Sequence, residues 1–152
     1  MSGLTSALTT SFKVELLKGT HNFTLTTGNV FKVALFEVNA SLAGTYGAAT
    51  TNYSDMTGGS DEHAASGNYS TGGETLTNVT PISTGTTAFL DWADVTWAAA
   101  TISSRGALIY NSSASNRAVA VIDFGGDKTS TAGDFSILWP TADAPNAIIR
   151  IA

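Results

Sequence analysis

The stretch RGALIYNSSASNRAVAVIDFGGDKTS, residues 105–130, decides the fold class. It holds two runs rich in Ala, Val, Leu and Ile, 105–111 and 117–124, with a polar segment of Asn and Ser between them. Apolar runs bounded by turn-forming residues are typical of paired strands. We therefore predict a strand, a turn over 111–116, and a second strand that ends at the glycine pair 125–126, because glycine permits positive φ.

The rest of the chain carries the same kind of pattern. Apolar residues recur with period two, and Gly, Asn and Ser interrupt them. This favours an all-β fold of about eight or nine strands in one domain, a β-sandwich or jelly roll, with a barrel as a related possibility. A short Ala-rich helix is the alternative over 91–101. The predicted strands are 12–17, 21–29, 30–38, 74–82, 87–98, 105–111, 117–124, 135–140 and 147–152.

An apolar run at 30–38 is followed by a long loop at 39–73. The run VFKVALFEV, 30–38, is apolar enough to predict a strand covered in part on both faces. Residues 39–73 form one long loop, which is unusual in a compact domain. That loop holds a weak duplication, NYSDMTGGSDE at 52–62 and NYSTGGETL at 68–76. The duplication is either chance in a Thr/Gly/Ser-rich segment or part of a surface excursion that contacts a neighbour or a ligand.

The length of 152 residues predicts a single domain, 12–152. Residues 1–11, MSGLTSALTTS, lack a core pattern and are predicted to form a flexible N-terminal arm. They also lack the charged and apolar regions of a signal peptide, so we expect synthesis in a cytoplasm. No run approaches the roughly 20 apolar residues of a membrane helix, so no membrane contact is expected.

Composition narrows the possible partners. Charged residues are 12% of the chain, about half the usual share, and the net charge is −5. Nucleic acid is an improbable partner because phosphate binding needs clustered Lys and Arg. The absence of Cys excludes disulfides and zinc–thiolate sites. A polar but weakly charged surface loses little when neighbours cover it, because few ions need desolvation.

The segment 123–130 contains two motifs that resemble parts of nucleotide-binding sites. The tripeptide DFG matters only beside the other kinase motifs, which this sequence lacks. A P-loop requires Gly before its Lys, and Asp127 stands there instead. The carboxylate of Asp127 would repel phosphate. We therefore interpret this segment as a turn between strands.

Acidic residues give weak metal and catalytic hypotheses. Asp123 and Asp127 could bind Ca²⁺ together with the carbonyls between them, although Asp123 could equally pair with Arg105 or Arg117 on a neighbouring strand. A loose acidic group, Asp55, Asp61, Glu62 and His63, matches no metal motif.

Asp91 and Asp94 flank Trp92 as a glycosidase pair might, but residues three apart face opposite sides of a strand. The chain has two His, no Cys and no GxSxG. We predict no enzyme, no cofactor and no metal.

Aromatic residues and one arginine are the candidate interface residues. Trp92, Trp97 and Trp139 are predicted to be core or interface anchors. Arg105 opens a strand that is otherwise small and apolar, so we expect it to pair with an Asp or to lie at a subunit contact. The predicted interface set is therefore Trp92, Trp97, Arg105 and Trp139.

The sequence also resembles a family of small proteins encoded among the structural genes of tailed bacteriophages. The likeness covers about residues 12–152. It is carried by W-x-x-A-T-x-x-x-R-G-A-L-I-Y-N at 97–111 and A-V-x-x-x-D-F-G-G-D-K at 118–128. Shorter similar stretches are FKVALFE at 31–37, GNYSTGGETL at 67–76 and NAIIRI at 146–151.

This resemblance implies a virion structural protein and no catalytic residue. The expected role is capsid cement or decoration: a β-sandwich, often a homotrimer, that clamps the outside of the icosahedral shell. The expected partners are the major capsid protein and further copies of this chain. A tail, neck or fibre component is the alternative within the particle. A carbohydrate-binding β-module is the alternative of another class, suggested by the tryptophans and the long polar loop.

Overall fold

Two antiparallel sheets packed face to face make up the fold. The computed structural model describes residues 3–40 and 45–152. In chain order the elements are β1 (Ala7–Leu8), α1 (Thr10–Leu17), β2 (Phe31–Glu37), α2 (Tyr53–Gly58), β3 (Glu74–Leu76), β4 (Asn78–Thr84), β5 (Thr87–Trp92), β6 (Val95–Asn111), a 3₁₀ turn (Ser112–Ala114), β7 (Arg117–Ile137) and β8 (Ile149–Ile151). The larger sheet has the order β1-β7-β6-β2-β3 and the smaller one β4-β5-β8. The predicted all-β sandwich is confirmed.

The hairpin of β6 and β7 is the centre of the larger sheet. The two strands pair from Asn111 opposite Arg117 to Val95 opposite Ile137. At the turn, the side-chain oxygen of Asn111 accepts a hydrogen bond from the backbone N–H of Ala114, and Ser115 adopts a left-handed conformation. The predicted turn over 111–116 is therefore confirmed.

The predicted end of a strand at the glycine pair is wrong. Gly125 does adopt positive φ, but β7 continues through it as one strand. Gly106 pairs with Asp123 and Ser104 pairs with Lys128, so the four residues 124–127 bulge opposite one residue of β6. A bulge absorbs extra residues and lets pairing resume. The separate strands predicted over 117–124 and 135–140 are therefore one strand, and β6 likewise joins the end of 87–98 to 105–111.

Strand β2 is covered on both faces, as predicted. Phe31 and Leu35 belong to the inner core, which lies between the two sheets. Ala34 and Phe36 belong to an outer core on the opposite face of the larger sheet. A strand that contributes to two cores must be apolar at nearly every position, which explains its composition.

The predicted flexible arm is wrong for the residues that the structure describes. Leu4 is buried in the outer core, and Ala7 pairs with Val121 as an edge strand. Thr9 then caps α1, because its hydroxyl accepts a hydrogen bond from the N–H of Phe12. Leu4, Ala7 and Thr9 hold this segment in place, and three contacts are too few to give a periodic sequence pattern.

Two predicted strands near the N-terminus are not strands. Segment 12–17 is α1, in which Phe12 and Leu16, one helical turn apart, face the inner core. Segment 21–29 contributes Phe23 to the same core but forms turns, with a hydrogen bond from the N–H of Gly28 to Thr24. The helix alternative for 91–101 is also wrong, since that segment is extended.

The long loop covers the outer core. Its helix α2 buries Met56 against the larger sheet, and Tyr46 packs on Phe36 with ring centroids 4.6 Å apart. Asn52 and Asp55 form a capping box at the start of α2. The loop is thus a cover for the larger sheet. Within residues 3–40 and 45–152, the helices are too short or too polar to cross a bilayer.

Candidate functional site

An open apolar groove lies on one side of the sandwich. The smaller sheet ends at β8 and the larger sheet ends at β1, next to β7. Residues of β7 and Ile148, just before β8, border one depression. We call this depression of about 520 Å³ the side groove. It is lined by Ile122, Phe124, Lys128, Phe135, Ser136, Ile137, Leu138, Trp139, Pro140 and Ile148.

The bulge in β7 brings the aromatic residues of the side groove together. Phe124 lies in the bulge and Phe135 lies further along β7, yet their ring centroids are 6.4 Å apart. Trp139 is fixed at the end of β7, because its backbone N–H donates to Asp94 (2.8 Å) and its indole N–H to the carbonyl of Ala93 (3.0 Å). The groove is thus a preformed surface of rings and aliphatic chains.

The lining of the side groove is mostly apolar. Leu138 is 74% exposed, a large apolar side chain facing solvent. The polar residues of the lining are Ser136, whose hydroxyl is hydrogen-bonded to Thr96 at 2.8 Å, and Lys128. Among the residues that the structure describes, no acidic side chain lines the groove. Such a surface gains free energy by covering apolar area.

Only Trp139 of the three predicted tryptophan anchors borders this surface. Trp92 and Trp97 are 3% and 1% exposed, so neither presents a surface to a partner. Trp92 faces Phe31 across the sandwich, at 5.8 Å between centroids. Two of the predicted interface residues are therefore core residues, since strand alternation turns them inward.

The predicted pairing of Arg105 with an aspartate is confirmed. Its guanidinium Nε lies 3.6 Å from Asp123 and its Nη1 lies 3.3 Å from Asp127. The guanidinium thus occupies the place between the carboxylates where a metal ion was considered. Among the described residues no group of three potential ligands gathers around one point.

Replacing Arg105 by alanine should lower the free energy of unfolding by about 1–2 kcal/mol. Its side chain is a quarter exposed, which places it between exposed pairs at roughly 0.2–1 and buried pairs at roughly 3–5 kcal/mol. Urea unfolding measures the change. The control is Arg150→Ala, which has no carboxylate partner among the described residues. Equal losses in the two variants would contradict a role for the aspartates.

A second cluster, which sequence analysis missed, centres on Glu62. Its carboxylate accepts hydrogen bonds from the hydroxyls of Tyr53 (2.5 Å) and Tyr69 (2.9 Å) and from the N–H of Gly72 (2.7 Å). The hydroxyl of Tyr110 donates to the carbonyl of Gly72 at 2.7 Å. Tyr53 and Tyr69 are the tyrosines of the duplicated NYS triplets. The duplication is the sequence feature that could have identified this cluster, because the tyrosines of both copies donate to the carboxylate of Glu62.

This cluster holds the long loop in place. Burial, with the charge of Glu62, raises the pKa of Tyr110 to about 12. Burial also raises the pKa of Tyr53 and Tyr69, with Glu62 adding to the effect. The hydroxyls therefore remain protonated donors at neutral pH. Tyr53 and Tyr69 donate to the half-buried Glu62 and Tyr110 to the buried carbonyl of Gly72, and together they fix the loop over the larger sheet.

The other members of the loose acidic group, Asp55, Asp61 and His63, make separate contacts. Asp61 accepts a hydrogen bond from the Tyr46 hydroxyl, and Asp55 caps α2. His63 contacts Glu37 at 2.8 Å through Nδ1, while its buried Nε2 has no partner among the described residues. The loose acidic group over 55–63 is therefore not one site.

Asp91 is enclosed and cannot serve as half of a glycosidase pair. It is 2% exposed. One carboxylate oxygen accepts from the N–H of Trp92 at 2.8 Å, and the other has no partner among the described residues. Burial raises the pKa of Asp91, and the charge of Asp94 raises it further.

The variant Asp91→Asn should be more stable than the wild type at neutral pH. Because the folded state holds the Asp91 proton more tightly than the unfolded state, stability falls as pH rises from the ordinary value of 3.8 through the raised pKa. The amide removes this loss. Urea unfolding between pH 4 and 7 measures it, with exposed Asp134→Asn as the control. An equal pH slope in Asp91→Asn and the wild type would refute the assignment.

Comparisons of the chain with protein-family models, with curated proteins and with solved structures found no match. The resemblance carried by residues 97–111 and 118–128 therefore stays a prediction. Both stretches lie on the central hairpin of β6 and β7.

Proposed function

We propose that the protein is a structural component of a tailed-bacteriophage particle. Its role is capsid cement or decoration: it binds the outside of the icosahedral shell and stabilises it by bridging subunits of the major capsid protein. The observation that supports this most is the side groove, a preformed apolar surface on a weakly charged β-sandwich. A surface of this kind serves assembly, because its gain comes from covered area.

The position of the family-like motif supports the same function. The stretch 118–128 supplies Ile122, Phe124 and Lys128 to the side groove. It also supplies Asp123 and Asp127, which hold the bulge together through Arg105. The residues that carry the resemblance thus build the proposed binding surface, in addition to the core of the hairpin.

Cement needs many modest contacts more than one tight contact. An interface of standard size buries roughly 1,600 Å² in total. A copy that touches several shell subunits gains from multivalency without new chemistry. The low charge of the chain reduces the desolvation cost at each contact.

The first test is the copy number of this chain in purified particles of the phage that encodes it. Quantitative mass spectrometry against the major capsid protein gives the ratio. Hundreds of copies in simple proportion to the shell subunit are expected. A handful would assign the protein to the tail, neck or fibre, and absence from the particle would refute the proposal.

A carbohydrate-binding module is the candidate from another class. Trp139 borders the side groove and offers a ring for sugar stacking, whereas Trp92 and Trp97 are buried. A glycan array, or a change in tryptophan fluorescence on addition of a sugar, tests this alternative. Binding of a glycan that is lost in Trp139→Ala would favour it over the cement function.

A further inference from the structure

We propose that the side groove binds an extended, apolar segment of a partner protein, flanked by acidic residues, as an added β-strand along the free edge of β8. This inference deepens the proposed function, on which it rests, because it names the surface and the kind of segment that the particle would supply.

The first observation is the open edge of the smaller sheet. Strand β8 pairs with β5, from Leu90 opposite Ile149 to Ala88 opposite Ile151. Its other edge pairs with no strand in the described part of the chain. Such an edge presents unpaired N–H and C=O groups, which a partner strand can bind. A strand added there would lie over β7 and complete the narrower sheet.

The second observation is that two depressions lie beside β8 and meet at Ile148. A neighbouring depression of about 400 Å³ adjoins the side groove, and Ile148, just before β8, borders both. Together they form a track beside β8, which is apolar in the side groove and more polar in the second depression. The second depression is lined by Leu8, Thr87, Ala144, Ile148, Arg150 and Ala152.

The third observation is the positive charge of the track, which favours a partner segment with acidic residues. The chain has 12 acidic and seven basic residues, yet the track is lined by Lys128 and Arg150 and by no acid. Neither cation forms an ion pair with a carboxylate among the described residues. Arg150 donates instead to the carbonyls of Ala144 and Pro145. Acidic residues of the bound segment would pair with both cations.

Charge also disfavours a symmetric dimer through this track. A two-fold contact places the same patch of each copy against the other. Lys128 and Arg150 would then face their own counterparts, and like charges across an interface cost affinity. An acidic segment of a different chain fits the track better.

The experiment uses short overlapping peptides that cover the structural proteins of the particle, presented to the folded full-length chain. We expect capture of peptides with alternating apolar residues and an acidic flank. Leu138→Asp should weaken capture about tenfold or more. The matched control is Leu17→Asp on α1: Leu17 is 91% exposed, so neither variant disturbs the core. Capture by the control should stay within about twofold of the wild type.

Two further variants test the charge and the strand pairing. Lys128→Glu should weaken capture of the acidic peptides, whereas Lys18→Glu, an exposed lysine outside the track, should not. Methylation of alternate backbone nitrogens in a captured peptide should abolish its binding, because it removes the N–H groups that pair with β8. Capture of no peptide, or equal capture by Leu138→Asp and the wild type, would overturn the inference.

Co-sedimentation with shells that lack this protein separates the two proposals. If shells fail to bind the wild type while peptides from another particle protein are captured, the cement function fails and the strand-binding track stands. If shells bind Leu138→Asp as well as the wild type, the cement function stands and the track is overturned.

Discussion

Replacing Trp97 by alanine should lower the free energy of unfolding by about 3–5 kcal/mol, the usual cost of removing a buried tryptophan. The indole is 1% exposed and packs against Tyr69 and Phe135, with ring centroids 5.6 and 6.1 Å away. Its removal leaves a cavity between the two sheets that these rings cannot fill. Urea unfolding followed by circular dichroism measures the loss.

The comparison variant is Trp139→Ala. Trp139 is half-buried at the side groove, so its loss should cost only about 1–2 kcal/mol while reducing partner binding. The two variants therefore distinguish a tryptophan that stabilises the core from one that lies at the binding surface. A Trp97 variant that kept its stability and lost binding instead would restore the interface role first predicted for this residue.

Replacing Glu62 by alanine should destabilise the fold by about 3 kcal/mol, since a buried donor left without its acceptor costs roughly 1–3 kcal/mol. The change removes the acceptor for Tyr53, Tyr69 and the N–H of Gly72 together. The long loop should then detach from the larger sheet before the rest unfolds. Hydrogen exchange of residues 53–72 measures that opening, and urea unfolding measures the total.

Two matched variants control this result. Glu62→Gln keeps an acceptor oxygen and should lose about 1 kcal/mol, less than the alanine variant. Glu74→Ala removes an exposed acid nearby and should change stability by no more than about 0.5 kcal/mol. Equal protection of 53–72 in Glu62→Ala and the wild type would show that the carboxylate does not hold the loop.

The strands that could be predicted from sequence are those whose pattern records burial. Strand β2 is apolar at nearly every position because it contributes to two cores, and the β6–β7 turn carries the Asn and Ser residues that such turns require. In both cases the local sequence pattern matches the packing of the folded chain, so the pattern alone predicts the structure.

The errors arose where a short segment fits two structures. Segment 12–17 alternates at 12, 14 and 16, but Phe12 and Leu16 also lie one helical turn apart. Eight helical residues are too few for the period to decide, and the Thr9 cap decides instead. At Gly125 the local signal is a turn, yet pairing with β6 resumes at Lys128, which only the partner strand can determine.

The candidate site was predicted only in part for a related reason. Composition identifies tryptophan as an anchor but not which side of a strand is covered, and the three tryptophans divide between core and groove accordingly. The groove is bordered by residues of β7 and by Ile148, just before β8, and these strands belong to different sheets. A site assembled from two sheets depends on strand order, which no single segment of sequence contains.

The pairing of Ala7 with Val121 has a consequence for the order of folding. During synthesis, β1 leaves the ribosome long before residues 120–121 of β7, with which it pairs, have been made. Ala7 and Leu8 therefore reach their places late, and contacts so distant in sequence slow folding. Until then the outer core is open at one end, which gives a chaperone or an assembly partner a period in which to act on the nascent protein.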